Sequence, residues 1–266
     1  MSGKISVIMA TYNCEETVAE SIQSIINQTY GNWEFIVCDD GSTDGTFAIL
    51  KEFQGKMPEQ FVLIKNEKNQ MLPYSLNRCL EKVTGQYVAR MDADDLSAPT
   101  RFEKQVAFLQ SHPDVDMVGT GIEVSDGTKI VGTIVKPPRP TKFDMIHASC
   151  FSHATIMTYP FVYEKLNGYS LDPSVIRVED MDLWFRFFAA GFQGDNIPDL
   201  LYTVLEDTNT MKRRGLQDRI NGAKTKLRGF KLVGIPKKYY IYPLIKVIGG
   251  FVPRRIYQWI HFKRLQ

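Results

Sequence analysis

Apolar positions in the first hundred residues fall into short unbroken runs separated by stretches of helical period. Lys4–Ala10 (KISVIMA), Trp33–Cys38 (WEFIVC), Phe61–Lys65 (FVLIK) and Gln86–Arg90 (QYVAR) read as strands buried on both faces. Between them, Glu15–Gln28 places Val18, Ile22, Ile25 and Ile26 on one helical face, and Thr46–Phe53 and Leu72–Val83 also read as helices. The alternation predicts an α/β fold: an open, mostly parallel sheet flanked by helices. Ligands of such sheets gather at the carboxyl ends of the strands. Here those ends are Thr11-Tyr12-Asn13, Asp39-Asp40 and Asp92–Asp95, three polar clusters expected on one edge.

Beyond Pro99 the alternation breaks. Arg101–Ser111 and Asp180–Ala190 read as helices, and Met117–Val124, Lys129–Val135 and Ala154–Thr158 as strands. We expect one domain over residues 1–211, with a nucleotide-binding half (1–98) and an acceptor half (99–211). A basic helical extension follows over 212–266.

The net charge of +2 conceals a strong asymmetry. Of 32 Lys and Arg and 30 Asp and Glu, 15 bases and one acid (Asp218) follow Met211, leaving that segment near +14 and the remainder near −12. The segment Tyr239–Leu265 interleaves these bases with Tyr257, Trp259, Phe251 and aliphatic residues, and Pro243 and Pro253 divide it into short helices. That pattern suits a helix lying on an anionic membrane surface; docking on its own domain or on a homodimer partner is the alternative. No nucleic-acid module is recognisable. The four cysteines are scattered without a C-x-x-C pair, which suits a reducing compartment. The apolar run at the amino terminus is too short for a secretion signal, and nothing approaches the roughly 18 apolar residues of a spanning helix. The expected location is the cytoplasm, peripherally on the inner face of the plasma membrane.

Asp92-Ala93-Asp94-Asp95 follows directly on a strand. Three carboxylates within four residues repel one another unless solvated or neutralised by a cation, and oxygen ligands beside a diphosphate suit Mg²⁺ or Mn²⁺. An acidic surface turn is the plainer reading of the same residues. At Asp39-Asp40-Gly41-Ser42 a turn with Ser42 capping the next helix is expected. Glu179-Asp180 opens a helix carrying Trp184, Phe185, Phe187 and Phe188, aromatics that we read as core.

In order and spacing, SVIMATYNCEETVAESIQSIINQTYGNWEFIVCDDGSTDGT, ARMDADD, HATIMTY and VEDMDLWFRF resemble the inverting family 2 glycosyltransferases with the GT-A fold. Within that family the chain is most similar to enzymes of bacterial capsule, exopolysaccharide and O-antigen assembly. The resemblance implies transfer of a sugar from a nucleotide-diphosphate donor, UDP above all, to a hydroxyl of a glycan or lipid-linked acceptor. It implies that Ala10, Thr11 and Tyr12 flank the base and that Asp40, with Asp39 beside it, meets the uracil edge. Asp94 is implied as principal metal ligand, with Asp92 near ribose or metal and Asp95 close by, for Mn²⁺ or Mg²⁺. The general base falls on the Glu179-Asp180 pair, with Asp180 preferred. His153 is implied to face the active site, Arg90 to lie beneath the acidic loop, and Asn77 to order a loop near the nucleotide. Met71 departs from the family, which often has Gly there. Lys212-Arg213-Arg214 reads as a solvated basic turn or as a lid whose cations, Arg213 among them, clamp the diphosphate.

Three other functions are set against this. A sugar-1-phosphate nucleotidyltransferase needs a glycine-rich basic loop after the first strand, where this chain has MATYNCEE. A dinucleotide oxidoreductase needs G-x-G-x-x-G after a strand, which is absent. A non-catalytic sugar-nucleotide-binding protein would not be expected to retain Asp40, Asp92, Asp94 and Asp180 together.

Overall fold

The structure, a computed structural model, describes residues 3–205 and 216–248. The four apolar runs form β1 (Ile5–Thr11), β2 (Trp33–Asp39), β3 (Phe61–Lys65) and β4 (Tyr87–Arg90). They are linked by α1 (Val18–Ile26), α2 (Thr46–Lys56) and α3 (Leu72–Leu80). β1 lies between β2 and β4, parallel to both, and β3 adds parallel to β2. Val7, Met9, Phe35 and Val37 pack on one side with Val18, Ile22 and Ile25 of α1. Ile8, Ile36 and Val88 pack on the other with Leu76 and Cys79 of α3. Both faces are covered, which is why these runs show no alternation.

The second half supplies β5 (Leu96–Ser97), α4 (Arg101–Ser111), β6 (Met117–Ser125), β7 (Ile130–Ile134), β8 (Met157–Thr158) and α5 (Pro160–Leu166). After these come α6 (Glu179–Ala189), β9 (Gly194–Leu205), α7 (Leu216–Val233) and α8 (Ile241–Ile248). The sheet order is β3-β2-β1-β4-β8-β6-β9-β5, with β7 on β6. β8 runs antiparallel to β4 and to β6, so the chain reverses twice before β6 and β9 pair in parallel.

Two elements differ from the expected ones. The strand expected over Ala154–Thr158 contracts to Met157–Thr158, and His153–Thr155 forms a 3-10 turn. The Thr155 hydroxyl donates to the Ser152 carbonyl (2.9 Å) and accepts from the Thr120 amide (3.1 Å), offering the backbone an alternative to a ladder. The twelve-residue strand β9 has no counterpart in the sequence expectations. Its pattern is interrupted at Pro198-Asp199, which bulge out where the β6 register jumps from Thr120↔Ile197 to Gly121↔Leu200. A Cβ on Gly121 would stand 2.8 Å from the Pro198 carbonyl oxygen, so the bulge closes only over glycine.

The first helix of the basic segment packs on the second half of the domain. The α7 residue Phe230 is buried with its ring 5.9 Å from Phe185, Arg228 pairs with Asp172 at 2.9 Å, and Lys142 Nζ donates to the Val233 carbonyl at 2.7 Å. No helix among the described residues is long and apolar enough to cross a membrane. The Lys212–Arg214 turn, Arg213 included, and the segment carrying Phe251, Tyr257 and Trp259 lie outside the described residues.

Candidate active site

The ends of β1 and β2 sit side by side, Thr11 opposite Asp39. Thr11 is buried and Tyr12 is exposed just past the strand. The Asp40 amide donates to the Thr11 carbonyl (2.8 Å), drawing both carboxylates of β2 against β1. Asp39 accepts from the Ser42 amide (3.2 Å), while Asp40 accepts from Asn66 Nδ2 (2.6 Å) and the Gln70 amide (2.8 Å). Ser42 does not cap a helix. Its hydroxyl accepts from the Asn13 amide (3.1 Å), α2 starts only at Thr46, and Asp44 serves the Thr46 amide instead (3.0 Å). Gly41 turns this loop with φ +74°, and a Cβ there would lie 2.7 Å from the backbone of Lys68. Met71, where the family often has Gly, also has positive φ, +74°, and is exposed.

β4 ends level with Ile8, three residues short of the end of β1, so the acidic loop emerges beneath the β1 terminus. The first turns of α1 pin it: Thr17 Oγ1 donates to the Ala93 carbonyl (3.0 Å) and Ser21 Oγ to that of Asp95 (2.7 Å). Arg90 is fully buried below, pairs with Asp92 and donates to the Met91 carbonyl. Burial opposes its charge, but Asp92, Tyr169 and Tyr202 together outweigh burial and raise its pKa. Arg101, also buried, donates to the Arg90 carbonyl (2.7 Å), and burial lowers it to about 10. The three carboxylates thus differ. Asp94 is exposed and Asp92 half-buried in its ion pair, whereas Asp95 is buried and accepts from the Leu205 amide (3.2 Å). Burial, with Asp92 and Asp94 adding to it, pushes Asp95 up to about 8. A divalent cation would relieve that mutual repulsion, and an all-oxygen donor set suits Mg²⁺ or Mn²⁺. Among the described residues no group of three ligands could hold an ion alone, so these side chains fit a cation shared with oxygens of a bound ligand.

On the α6 side, Glu179 and Asp180 form the first turn of the helix, both half-buried. Burial raises Glu179, Asp180 adds to this and Arg90 counters it, so Arg90 acts electrostatically on both acidic groups. Glu179 Oε2 is buried without a hydrogen-bond partner. Trp184, Phe185 and Phe187 are core, as expected, whereas Phe188 is only partly buried against them. His153 keeps a little surface, but its ring lies among Tyr169, Trp184 and Arg90, and Nε2 pairs with the Tyr169 hydroxyl at 2.8 Å. Burial, followed by Arg90, depresses it to about 3, which leaves a neutral imidazole. The Asn77 amide brackets Tyr169, donating to its carbonyl (2.9 Å) and accepting from its N–H (2.8 Å). It thereby holds the residue that holds His153.

Sequence reasoning missed Asn66, Gln70, Thr17, Ser21, Tyr202 and Leu205. Tyr202 accepts from the Asp92 amide through its hydroxyl (3.0 Å) from a distance of 110 residues. Only the small polar residues facing inward on α1 left a local trace. A groove of about 1740 Å³ between α3, α5, α6 and α7 contains none of the acidic strand ends.

Three doubly covered parallel crossovers, carboxylates at the strand ends and an acidic helix start facing them define a nucleotide-sugar type of α/β transferase fold. The chain belongs to glycosyl transferase family 2, whose model matches residues 6–165. EpsE of Bacillus subtilis (strain 168) is 44% identical over 98% of this chain and 94% of its own length. WfaP of Escherichia coli, a UDP-Glc:alpha-D-GlcNAc-diphosphoundecaprenol beta-1,3-glucosyltransferase, is 26% identical over 75% of this chain and 77% of its own. Among solved structures, S. aureus TarS 1-349 in complex with UDP-GlcNAc matches with TM-score 0.69 and 17% identity, over 95% of this chain and 82% of that one. The mannosyltransferase PcManGT of Pyrobaculum calidifontis, in complex with GDP-Man and Mn²⁺, matches with TM-score 0.67 and 21% identity, over 94% and 74%. The chain is a glycosyltransferase of GT-A-like fold.

Proposed function

We propose that this glycosyltransferase moves a sugar, with inversion, from a UDP-sugar to a hydroxyl of a glycan or lipid-linked acceptor in bacterial surface polysaccharide synthesis. One observation carries the reading. The buried Arg90 is ion-paired with Asp92 of the acidic loop, and its charge also acts on Glu179 of the half-buried carboxylate pair. The names of relatives such as WfaP, which pair a UDP-sugar with a lipid-diphosphate acceptor, agree with it.

In this reading Ala10, Thr11 and Tyr12 flank the base and Asp40, locked by Asn66 and Gln70, offers its edge to the uracil. Asp94 and Asp92 would hold Mn²⁺ or Mg²⁺, which when bound supplies positive charge at the diphosphate. Asp95 and Tyr202 support that loop from beneath. Asp180 takes the proton from the acceptor hydroxyl as its oxygen attacks C1, and the bond from C1 to the nucleotide breaks. Burial, with the charge of Asp180 adding to it, raises the proton affinity of the neighbouring Glu179. Neutral His153 contributes a fixed polar surface without adding charge. The basic residues after Met211, Arg213 among them, would clamp the diphosphate and hold the enzyme on the inner face of the plasma membrane.

Screening UDP- and GDP-sugars for metal-dependent thermal stabilisation tests the donor site. The expected result is stabilisation by a UDP-sugar only with Mn²⁺ or Mg²⁺, and loss of that dependence in Asp94→Asn together with turnover, on the order of 10³-fold. Full activity of Asp94→Asn in EDTA sinks the assignment.

A further inference from the structure

α8 carries an apolar ridge that is exposed among the described residues. Ile241, Leu244 and Ile245, spaced i, i+3 and i+4, are 53%, 46% and 52% exposed. Pro243 on the opposite side is buried, and Leu232 near the end of α7 extends the exposed apolar surface. The helix is nevertheless anchored. Tyr240 packs 5.7 Å from the buried Phe230, and Tyr242 meets His147 edge-on at 4.9 Å. Lys231, Lys237 and Lys238 stand exposed along its approach, within a segment of 15 bases and a single acid.

We infer that the α8 ridge is the element that docks this enzyme on an anionic bilayer, and that it does so with the acceptor half turned to the lipid. The inference rests on the reading above, in which the acceptor is presented at a membrane. A lysine-rimmed apolar ridge is complementary to acidic headgroups over acyl chains. A second copy docked on the same ridge would bring two basic rims together, so the lipid is the better occupant. The orientation follows from what α8 touches. His147 under Tyr242 and Lys142 on the Val233 carbonyl belong to the stretch that leads through Ser149 to His153 on the α6 side. Ser149 in turn anchors Lys136 (3.0 Å), whose ammonium feels the charge of Asp180.

The test uses the full chain and vesicles of phosphatidylcholine with or without phosphatidylglycerol at low salt. Wild-type protein is expected to partition at least tenfold better onto the anionic vesicles. The triple variant Ile241→Ser, Leu244→Ser, Ile245→Ser is expected to lose at least tenfold, with an unchanged melting temperature and unchanged stabilisation by UDP and Mn²⁺. Lys237→Glu with Lys238→Glu should lose partitioning to the anionic vesicles in a salt-dependent way. A fluorophore at Phe143→Cys should be quenched by brominated lipid and one at Glu59→Cys should not. Vesicle binding by the triple variant equal to wild type overturns the assignment, as does conversion of a dimer to a monomer in light scattering, which makes the ridge a contact between copies. Equal quenching at the two labels overturns the orientation. Failure of UDP-sugar binding in every variant and in wild type would instead count against the catalytic reading and leave the docking result standing.

Discussion

The acidic strand ends and the α6 side bring charge together by opposite means. At the strand ends the buried Asp39, Asp40 and Asp95 are met by the backbone amides of Ser42, Gln70 and Leu205, and the Thr17 and Ser21 hydroxyls pin the Asp92–Asp95 loop so that Asp94 stays exposed. Burial, with the charges of Asp92 and Asp94 adding to it, raises Asp95 to about 8. On the α6 side the polar groups are withdrawn from water and tuned by burial, with Glu179 raised and His153 driven to about 3. An open cluster suits binding a cation and a polyanionic ligand, because solvent must be exchangeable there. A withdrawn cluster suits proton transfer, because desolvation is what lifts a carboxylate toward the proton affinity a base needs.

The sharpest break of this comparison is Asp180→Asn. Transfer should fall by about 10²–10⁴-fold while calorimetric affinity for a UDP-sugar stays near wild type. A collapse of donor affinity would move Asp180 to the strand-end side of the division, and an inactive Glu179→Gln beside an active Asp180→Asn would exchange the two acids. Next in size is Gly41→Ala, which forces a Cβ against the Lys68 backbone at a φ of +74°. It should cost roughly 2–3 kcal/mol in chemical denaturation and weaken donor binding, because the displaced loop carries the Gln70 amide that fixes Asp40.

His153 then tests tuning by burial. A histidine whose folded pKa lies below its unfolded value contributes stability that is complete above 6.5 and is lost as pH falls toward about 3. Wild-type protein should therefore lose on the order of 2 kcal/mol between pH 7 and pH 4 through this residue, and His153→Gln should flatten that decline in melting curves. An unchanged acid limb in the variant would show that the ring is solvated when folded. The smallest effect is expected at Met71, whose φ of +74° is costly for any residue with a side chain. Met71→Gly should gain about 1 kcal/mol without altering the α6 side; a loss would mean that the exposed thioether makes a contact worth more than the strain.

Much of the fold was legible because its signals are local. Four buried strands, the helical face of α1 and the order of the acidic motifs depend on spacings of two to four residues, and the structure places them within a residue or three of expectation. β9 was not legible, since Pro198-Asp199 break its pattern and only a bulge against Gly121 accommodates them. Nor were the partners of the site. Asn77 finds Tyr169 at a separation of 92 residues, Tyr202 reaches Asp92 across 110, and Ser42 serves Asn13 instead of a helix end. What the sequence by itself determined was which groups carry charge and on which strand end or helix start each one stands. Which of those charges remain open, which are paired and which are pushed toward neutrality was decided by the tertiary structure. Solvation and through-space charge depend on everything packed around a group, whatever its distance along the chain.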